Sequence, residues 1–250
     1  MVASLPTLDI RWELLPDDFV LPDDPVDNIA QPALAAALTD ALATARRLPD
    51  LAITPTNYGI CATVNGKLVV KAPDWAYIPQ ITVSRAAVHR SYTPQLQGAM
   101  PLIVLEFLSD PDGHEYSIKP TYPPGKWFFY EQVLQVPYYG LFDLESAELE
   151  FYCLGDDKRY TLMEPNQEGR YWLPEMDLAL GCWSGQRENR DGVWLRWWDG
   201  NGHLLLWGQE QADMERQRAE TERQRAETER QRAERLAERL RSLGVDPETL

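Results

Sequence analysis

Three side chains in the sequence have types and positions suited to metal-assisted hydrolysis. Asp74 follows a proline in the run VVKAPDWAYIP, and Glu106 lies inside the apolar run PLIVLEFLS. Burying a carboxylate in an apolar strand is costly unless it is paired or binds a metal ion. Two such acids on adjacent strands would form an all-oxygen site of the kind that Mg²⁺ prefers. Lys126, in GKWFFYEQ, would supply an amine that orients or deprotonates the attacking water.

The elements that must position these three residues follow from the pattern of apolar residues. Asp74 opens the strand-like run DWAYIPQITV, and the continuous apolar run that contains Glu106 predicts a buried central strand. Lys126 stands at the start of a predicted helix, GKWFFYEQVLQV. The three residues are therefore expected on neighbouring elements, with the two carboxylates within roughly 4–6 Å of each other if they share one cation.

Other elements surround this group. A helix is predicted over about residues 28–47, with Asp27 or Asn28 as its N-cap. Asn65-Gly66 predicts a tight hairpin between YGICATV and KLVVKA. Further strands are predicted at YYGLFDL, AELEFYCL, GRYWLP, GVWLRWWD and HLLLWG, the last two joined through a turn at residues 199–202.

Each candidate residue also has an ordinary structural explanation. Asp74 could be a turn residue that follows a proline. Glu106 could be an edge-strand acid that points to solvent, and Lys126 could be a solvated lysine at a helix start. The spacing alone leaves these alternatives open.

Composition and charge limit the classes of protein that fit. A hydrophobic content of 44% and nine tryptophans predict a packed core. The net charge is −15, of which −13 lies in residues 1–207, so the body repels phosphate at long range. Three well-separated cysteines predict neither a disulfide framework nor a zinc site. With no long apolar run and no secretory pattern at its start, the chain is expected to be cytoplasmic and not to bind a membrane.

The composition changes near residue 208. ERQRAET repeats every seven residues, which predicts one long charged helix and a possible coiled coil through which the chain would form a homodimer. The sequence therefore predicts three parts: an extended N-terminal arm over residues 1–27, an α/β (α+β) domain over residues 28–207 and the helix over residues 208–250. The two positions of the predicted seam are mostly Ala and Glu and turn apolar only at the end: Ala212, Ala219, Ala226, Ala233 and Leu240, and Glu215, Glu222, Glu229, Leu236 and Leu243.

The order of several short motifs provides a further signal. The motifs are Pro73-Asp74, Glu106-Phe107-Leu108-Ser109, Lys126 with Tyr130, and a strand from Tyr139 to Asp143. This order resembles the Uma-type family of restriction-endonuclease-like proteins, a branch of the PD-(D/E)XK nuclease superfamily. The resemblance covers roughly residues 28–155, and the Trp-rich stretch and heptad tail are similar to a subgroup of that family.

The resemblance implies a fold and an activity. The fold would be a restriction-endonuclease-like core with a mixed central sheet flanked by helices. The activity would be that of a DNA endonuclease, with Asp74 and Glu106 holding Mg²⁺ or Mn²⁺ while water attacks a phosphodiester and leaves a 5′-phosphate. Gln31, on the first helix, would support the metal through water. The alternative is that Gln31 is an ordinary amide on the helix surface.

The identity of the amine depends on a departure from the superfamily's pattern. The superfamily's lysine usually stands two residues after the glutamate, where this chain has Leu108. The resemblance implies that the amine has moved to the next helix, which nominates Lys126. Lys71, on the same predicted strand as Asp74, and Lys119 are weaker candidates.

The acidic body favours an alternative to the enzyme: a degenerate nuclease fold that acts as a binding or assembly module through its C-terminal helix.

Overall fold

Apolar runs separated by turn residues fold into a mixed α+β architecture with three open sheets. The structure, a computed structural model, describes residues 8–14, 29–108 and 114–242. Within these ranges the strands are β1 (Ile10–Arg11), β2 (Gly59–Val64), β3 (Lys67–Lys71), β4 (Trp75–Tyr77), β5 (Ser91–Tyr92), β6 (Ile103–Leu108), β7 (Tyr138–Asp143), β8 (Leu149–Leu154), β9 (Tyr160–Leu162), β10 (Arg170–Leu173), β11 (Leu178–Arg187) and β12 (Arg190–Asp199).

The helices of the described residues are α1, α2 and α3, with short 3₁₀ turns at Arg85–Val88 and His114–Tyr116. Their bounds are α1 (Gln31–Thr44), α2 (Lys126–Phe128), which continues as a π-helix over Phe129–Leu134, and α3 (Gly208–Ser242). Helix α1 begins just before Pro32, whose missing N–H costs nothing in a first turn. Its N-cap is Ala30, and the predicted caps Asp27 and Asn28 lie outside the described residues.

The first sheet contains the predicted hairpin. Strands β1, β2 and β3 are antiparallel neighbours, and β5 pairs with β2 in parallel. Asn65 and Gly66 both have positive φ, at 50° and 74°, which is the backbone that a two-residue type I′ turn needs. The hairpin predicted from Asn-Gly is confirmed.

The second sheet is mixed and carries the candidate site. Its order is β4-β6-β7-β8-β9; β6 and β7 are parallel, and the other neighbours are antiparallel. Two parallel neighbours need a crossover, and the crossover from β6 to β7 contains α2 and its π-helical continuation. Residues 103–107 of β6 are all buried, as the continuous apolar run predicts. The predicted strand DWAYIPQITV is shorter than expected, because only Trp75–Tyr77 pairs with β6.

The third sheet, β10-β11-β12, corrects two predictions. Strand β11 was not predicted, and it pairs with β12 over ten residues. HLLLWG was predicted as β structure, yet it forms only a single bridge, between Trp198 and Leu204. Its backbone still bonds to β12, since the Leu205 N–H donates to the Trp197 carbonyl at 2.8 Å, while the Leu205 carbonyl accepts from the Arg196 guanidinium at 2.8 Å.

The chain divides into two compact units, Met1–Leu205 and Leu206–Leu250. In the second, α3 is one continuous helix, as predicted, although its expected end near Leu243 lies outside the described residues. Ion pairs along the described helix join an acid to the arginine three residues later, as in Glu220–Arg223 at 3.0 Å, or an arginine to the acid four residues later, as in Arg230–Glu234 at 3.8 Å. No helix in the described part of the chain is long and apolar enough to cross a membrane.

Candidate active site

The pairing of β4 with β6 sets Asp74 against Glu106. Trp75 lies opposite Leu105 and Ala76 opposite Val104, and Asp74 directly precedes Trp75 as Glu106 directly follows Leu105. The two acids predicted to cooperate lie close enough for the negative charge of Asp74 to act on Glu106, although 32 positions separate them in the sequence.

The Pro73-Asp74 dipeptide leaves Phe107 unpaired with β4, although Phe107 pairs with Phe142 of β7 on the other side. The register sets Pro73 opposite Phe107, but proline has no N–H to donate, and the Pro73 carbonyl accepts from Asn57 instead. Two side chains take the place of Pro73 as hydrogen-bond partners of Phe107. The Asp74 carboxylate accepts the Phe107 N–H at 2.6 Å, and the Gln31 amide donates to the Phe107 carbonyl at 2.6 Å. Strand β6 is thus held in place on the residue beside Glu106.

Glu106 is completely buried, and both of its carboxylate oxygens have a partner. Lys126 Nζ donates to Oε2 at 3.0 Å, and the Tyr130 hydroxyl donates to Oε1 at 3.1 Å. Burial raises the pKa of Glu106 to about 8; the Lys126 ammonium opposes this rise, and the negative charges of Asp74 and Glu115 add to it. Desolvation is the largest cause of this rise, and repulsion from Asp74 is a smaller one. The acid is therefore not the solvent-facing edge residue of the ordinary explanation.

Lys126 occupies the first position of α2, and a glycine fixes where that helix begins. Gly125 is the N-cap, and a Cβ there would lie 1.9 Å from the Ser117 carbonyl oxygen, so only glycine fits. Lys126 and Tyr130 are four residues apart, on the same side of the helix, which lets both reach Glu106. Lys126 Nζ also lies 3.7 Å from Glu115 Oε1. The lysine is therefore 22% exposed rather than a freely solvated side chain.

The charges around Lys126 are unbalanced. Burial alone lowers its pKa, but the carboxylates of Glu106, Asp74 and Glu115 together raise it above the ordinary lysine value. Three carboxylates facing one ammonium leave an excess of negative charge when all are ionised, which a divalent cation would neutralise. Among residues 8–14, 29–108 and 114–242, no three His, Cys, Asp or Glu side chains are grouped as a metal site. Mg²⁺ does not need such a group, because it commonly uses one or two carboxylates and completes its shell with water and substrate oxygens.

A cluster of aromatic rings surrounds the residue after Lys126. The Trp127 ring stacks on Tyr116 with centroids 6.4 Å apart, and it makes edge contacts with Tyr139, Tyr152 and Tyr160 at 5.6, 4.7 and 5.4 Å. Such contacts each stabilise a fold by about 0.5–1.5 kcal/mol beyond the buried area. The cluster holds α2, and with it Lys126, against the sheet.

Several contributors to this site were missed or misplaced by sequence patterns. Glu115 has no motif around it, and its proximity to Lys126 depends on the fold alone. Lys71 does not share a strand with Asp74 as predicted: it ends β3 in the first sheet, and Asp74 precedes β4 in the second. The Lys119 side chain is exposed. Gln31 is buried rather than an ordinary surface amide.

The family of the chain agrees with the order of its motifs. The family model Uma2, described as "Putative restriction endonuclease", matches residues 3–187. The chain belongs to this family. The predicted resemblance is thereby confirmed, and the match extends on both sides of the predicted range of 28–155. No curated protein matches the sequence.

Proposed function

We propose that the chain is a metal-dependent DNA endonuclease whose active site contains Asp74, Glu106 and Lys126. The observation that carries this proposal is the contact of Lys126 Nζ with the fully buried Glu106 carboxylate at 3.0 Å, close enough to Asp74 for its negative charge to act on both groups. A buried acid with a cation beside it and a second acid opposite is poorly explained by stability alone, because such pairs seldom improve on apolar residues. Membership of the Uma2 family supports the same activity.

The donor set suits the ion that such a reaction needs. Asp74 and Glu106 would hold Mg²⁺ or Mn²⁺ by their carboxylate oxygens, with water and phosphate oxygens in the remaining positions. The bound ion would lower the pKa of a coordinated water and polarise the phosphodiester. Lys126, already beside Glu106, is placed to stabilise the negative charge that develops on the phosphate. Tyr130 and Gln31 act on the positions of Glu106 and of Phe107 next to it.

The fold that we propose is the restriction-endonuclease-like core of the superfamily. The support is a mixed sheet in which an antiparallel pair, β4–β6, is followed by a helical crossover into the parallel strand β7. Asp74 directly precedes the first of these elements, Glu106 lies on the second and Lys126 on the third. The same topology could persist in a protein that no longer cleaves DNA.

A second candidate function is a binding or assembly module built on an inactive nuclease fold. The charge of −13 over residues 1–207 favours it, since an acidic body is repelled by duplex phosphate. The continuous helix α3 would then be the working surface, with a second copy of the chain as its partner. Leu236, at a predicted seam position, is 55% exposed and is available for such a contact.

Plasmid cleavage separates the two candidates. The full chain is incubated with supercoiled plasmid and Mg²⁺ or Mn²⁺, beside Asp74→Asn and a reaction with EDTA. The enzyme predicts nicked or linear DNA with the wild-type chain alone, and only with the metal. Nicking that persists in Asp74→Asn or in EDTA would indicate a contaminating nuclease. No cleavage of the plasmid, or of single-stranded DNA tested beside it, by the wild-type chain with either ion contradicts the endonuclease and leaves the binding module.

A further inference from the structure

The segment that leads into α2 exposes aromatic and apolar side chains. Tyr116 is 39% exposed, Ile118 70% and Tyr122 54%, within seven consecutive residues. Exposed apolar residues that occur singly need no explanation, whereas a contiguous group beside a functional site commonly marks a binding surface. We call residues 116–122 the lead-in segment.

The lead-in segment is physically joined to the candidate active site. Glu115, the residue before Tyr116, lies 3.7 Å from Lys126 Nζ. The Tyr116 ring stacks on Trp127, the residue after Lys126, with an interplanar angle of 21°. The Tyr116 hydroxyl donates to Glu150 at 3.1 Å, which fixes the orientation of the ring while more than a third of the side chain stays accessible. Tyr116 therefore links the lead-in segment to the helix that carries Lys126.

The charges of the lead-in segment differ from those of the body. Residues 116–122 contain one exposed lysine, Lys119, and no acid. Lys67, from β3, places its Nζ 4.9 Å from the centre of the Tyr122 ring. Burial and the negative charges of Glu150, Asp143 and Glu115 raise the pKa of Tyr116, so acids lie near that ring, whereas the cation Lys67 lies over Tyr122. Aromatic rings on which bases stack, beside cations that follow the backbone, are the elements of single-strand nucleic-acid recognition.

Resting on the proposed function, we infer that the lead-in segment binds unpaired bases of single-stranded DNA by stacking on Tyr116 and Tyr122, and so presents a single strand to the site at Lys126. A duplex hides the faces of its bases and carries a denser array of phosphates, which the acidic body disfavours. A single strand offers the faces of its bases to stack on exposed rings. The substrate class is therefore DNA with unpaired bases.

Binding without cleavage tests this inference independently of the activity. The full wild-type chain in EDTA is titrated against fluorescent oligothymidylate of about 16 nucleotides, an abasic oligomer of equal length and a duplex, with fluorescence anisotropy as the readout. Oligothymidylate is expected to bind most tightly. The abasic strand, with the same phosphates and no rings, is expected to bind about tenfold more weakly or worse. Equal binding of the two strands, or tighter binding of the duplex, overturns the inference.

Variants of Tyr116 distinguish stacking from a structural effect. Tyr116→Phe keeps the ring and is expected to bind oligothymidylate within about twofold of wild type, whereas Tyr116→Leu keeps apolar bulk without the ring and is expected to lose about tenfold. Trp172, 42% exposed on β10, provides a matched control, and Trp172→Leu should bind as wild type does. Equal losses in the Phe and Leu variants of Tyr116 would contradict stacking.

The result is read separately from plasmid cleavage. Tight binding of oligothymidylate without any nuclease activity would remove the endonuclease and keep the stacking surface. Cleavage of plasmid without binding of oligothymidylate would keep the endonuclease and overturn the stacking surface. The lead-in segment would then be a surface for a protein partner.

Discussion

The Lys126 ammonium lies 3.0 Å from the carboxylate of Glu106, a side chain with no exposure to solvent. The helix that carries Lys126 has Gly125 as its N-cap, and its continuation carries Tyr130, whose hydroxyl donates to the second oxygen of the same carboxylate. Because both oxygens are engaged, each change at this contact should alter stability as well as activity. The expected effects can be told apart by measuring the two properties on the same variants.

Replacing Lys126 should separate catalysis from metal binding. Lys126→Ala is expected to reduce cleavage by about 10²–10⁴-fold, because the developing phosphate charge loses its cation. Mn²⁺ binding should remain, since both carboxylates are kept. Calorimetry with Mn²⁺ and single-turnover cleavage at saturating Mn²⁺ measure the two effects. Lys71→Ala is the matched control, because Lys71 belongs to the first sheet. A dead Lys71→Ala beside an active Lys126→Ala would transfer the role to Lys71.

Asp74 should respond differently to two replacements. Asp74→Asn keeps an oxygen that can accept the Phe107 N–H, so its stability should stay near wild type while metal binding and cleavage are lost. Asp74→Ala also leaves that N–H without its acceptor and should lower the free energy of unfolding by about 1–3 kcal/mol. Urea denaturation in EDTA measures the difference. If both variants unfold at the same urea concentration, the bond to Phe107 contributes nothing to stability.

The free energy of unfolding should depend on pH through the protonation of Glu106. Its pKa is about 8 in the folded chain, against about 4.3 for an unperturbed glutamate. Between these values the folded state holds a proton that the unfolded state has released, so raising the pH destabilises the fold. The stabilising contribution is complete below about pH 4.3 and is lost as the pH rises through 8.

Glu106→Gln cannot titrate, which isolates this contribution. In EDTA, the unfolding free energy of wild type should fall relative to that of Glu106→Gln by up to about 1 kcal/mol per pH unit between pH 5 and 8. Urea titrations at a series of pH values measure both proteins. Parallel profiles would show that Glu106 is already ionised in the folded chain at low pH.

Gly125 should tolerate no side chain. A Cβ would approach the Ser117 carbonyl oxygen to 1.9 Å, so Gly125→Ala should cost about 1–3 kcal/mol and displace Lys126. Thermal unfolding and cleavage should both suffer. Gly192→Ala is the matched control, because nothing lies within 4 Å of a Cβ there, and its stability should stay within about 0.5 kcal/mol of wild type. A stable and active Gly125→Ala would show that Ser117 yields easily.

The C-terminal helix should be dispensable for the fold of the body. Deleting residues 209–250 is expected to leave the thermal transition of residues 1–208 in place. Sedimentation of the full chain should show only weak self-association that decreases with salt, because the predicted seam is mostly Ala and Glu. Loss of the transition on truncation would mean that the helix is part of the core. A tight, salt-insensitive dimer would contradict the weak seam.

Local patterns predicted the elements whose signals lie in a few adjacent residues. Asn65-Gly66 specified a hairpin, and the apolar run around Glu106 specified a buried strand, because each depends on its own backbone or burial. Strand β11 was missed because its glycines and polar residues dilute the alternation, and its stability comes from pairing with β12. HLLLWG was overpredicted because its pairing with β12 is limited to a few bonds around Leu204, a limit that a local pattern does not encode.

The candidate site was predictable to a similar degree. Asp74, Glu106 and Lys126 stood out by the cost of burying an acid and by resemblance to known motifs. Glu115 did not, because its role depends on a distance of 3.7 Å across the fold that no spacing encodes. The same is true of Lys71, whose separation from Asp74 follows from a change of sheet at Ala72 and Pro73.

The backbone of Phe107 is hydrogen-bonded by the Asp74 and Gln31 side chains and not by the backbone of Pro73. Beyond Leu105, β4 no longer pairs with β6, and Asp74 and Gln31 occupy the hydrogen-bonding groups that an incoming strand would otherwise use. These two residues therefore protect a sheet edge against intermolecular strand addition. An acceptor at position 74 therefore serves the fold whether or not the site binds a metal ion, so an aspartate there does not by itself indicate an active site.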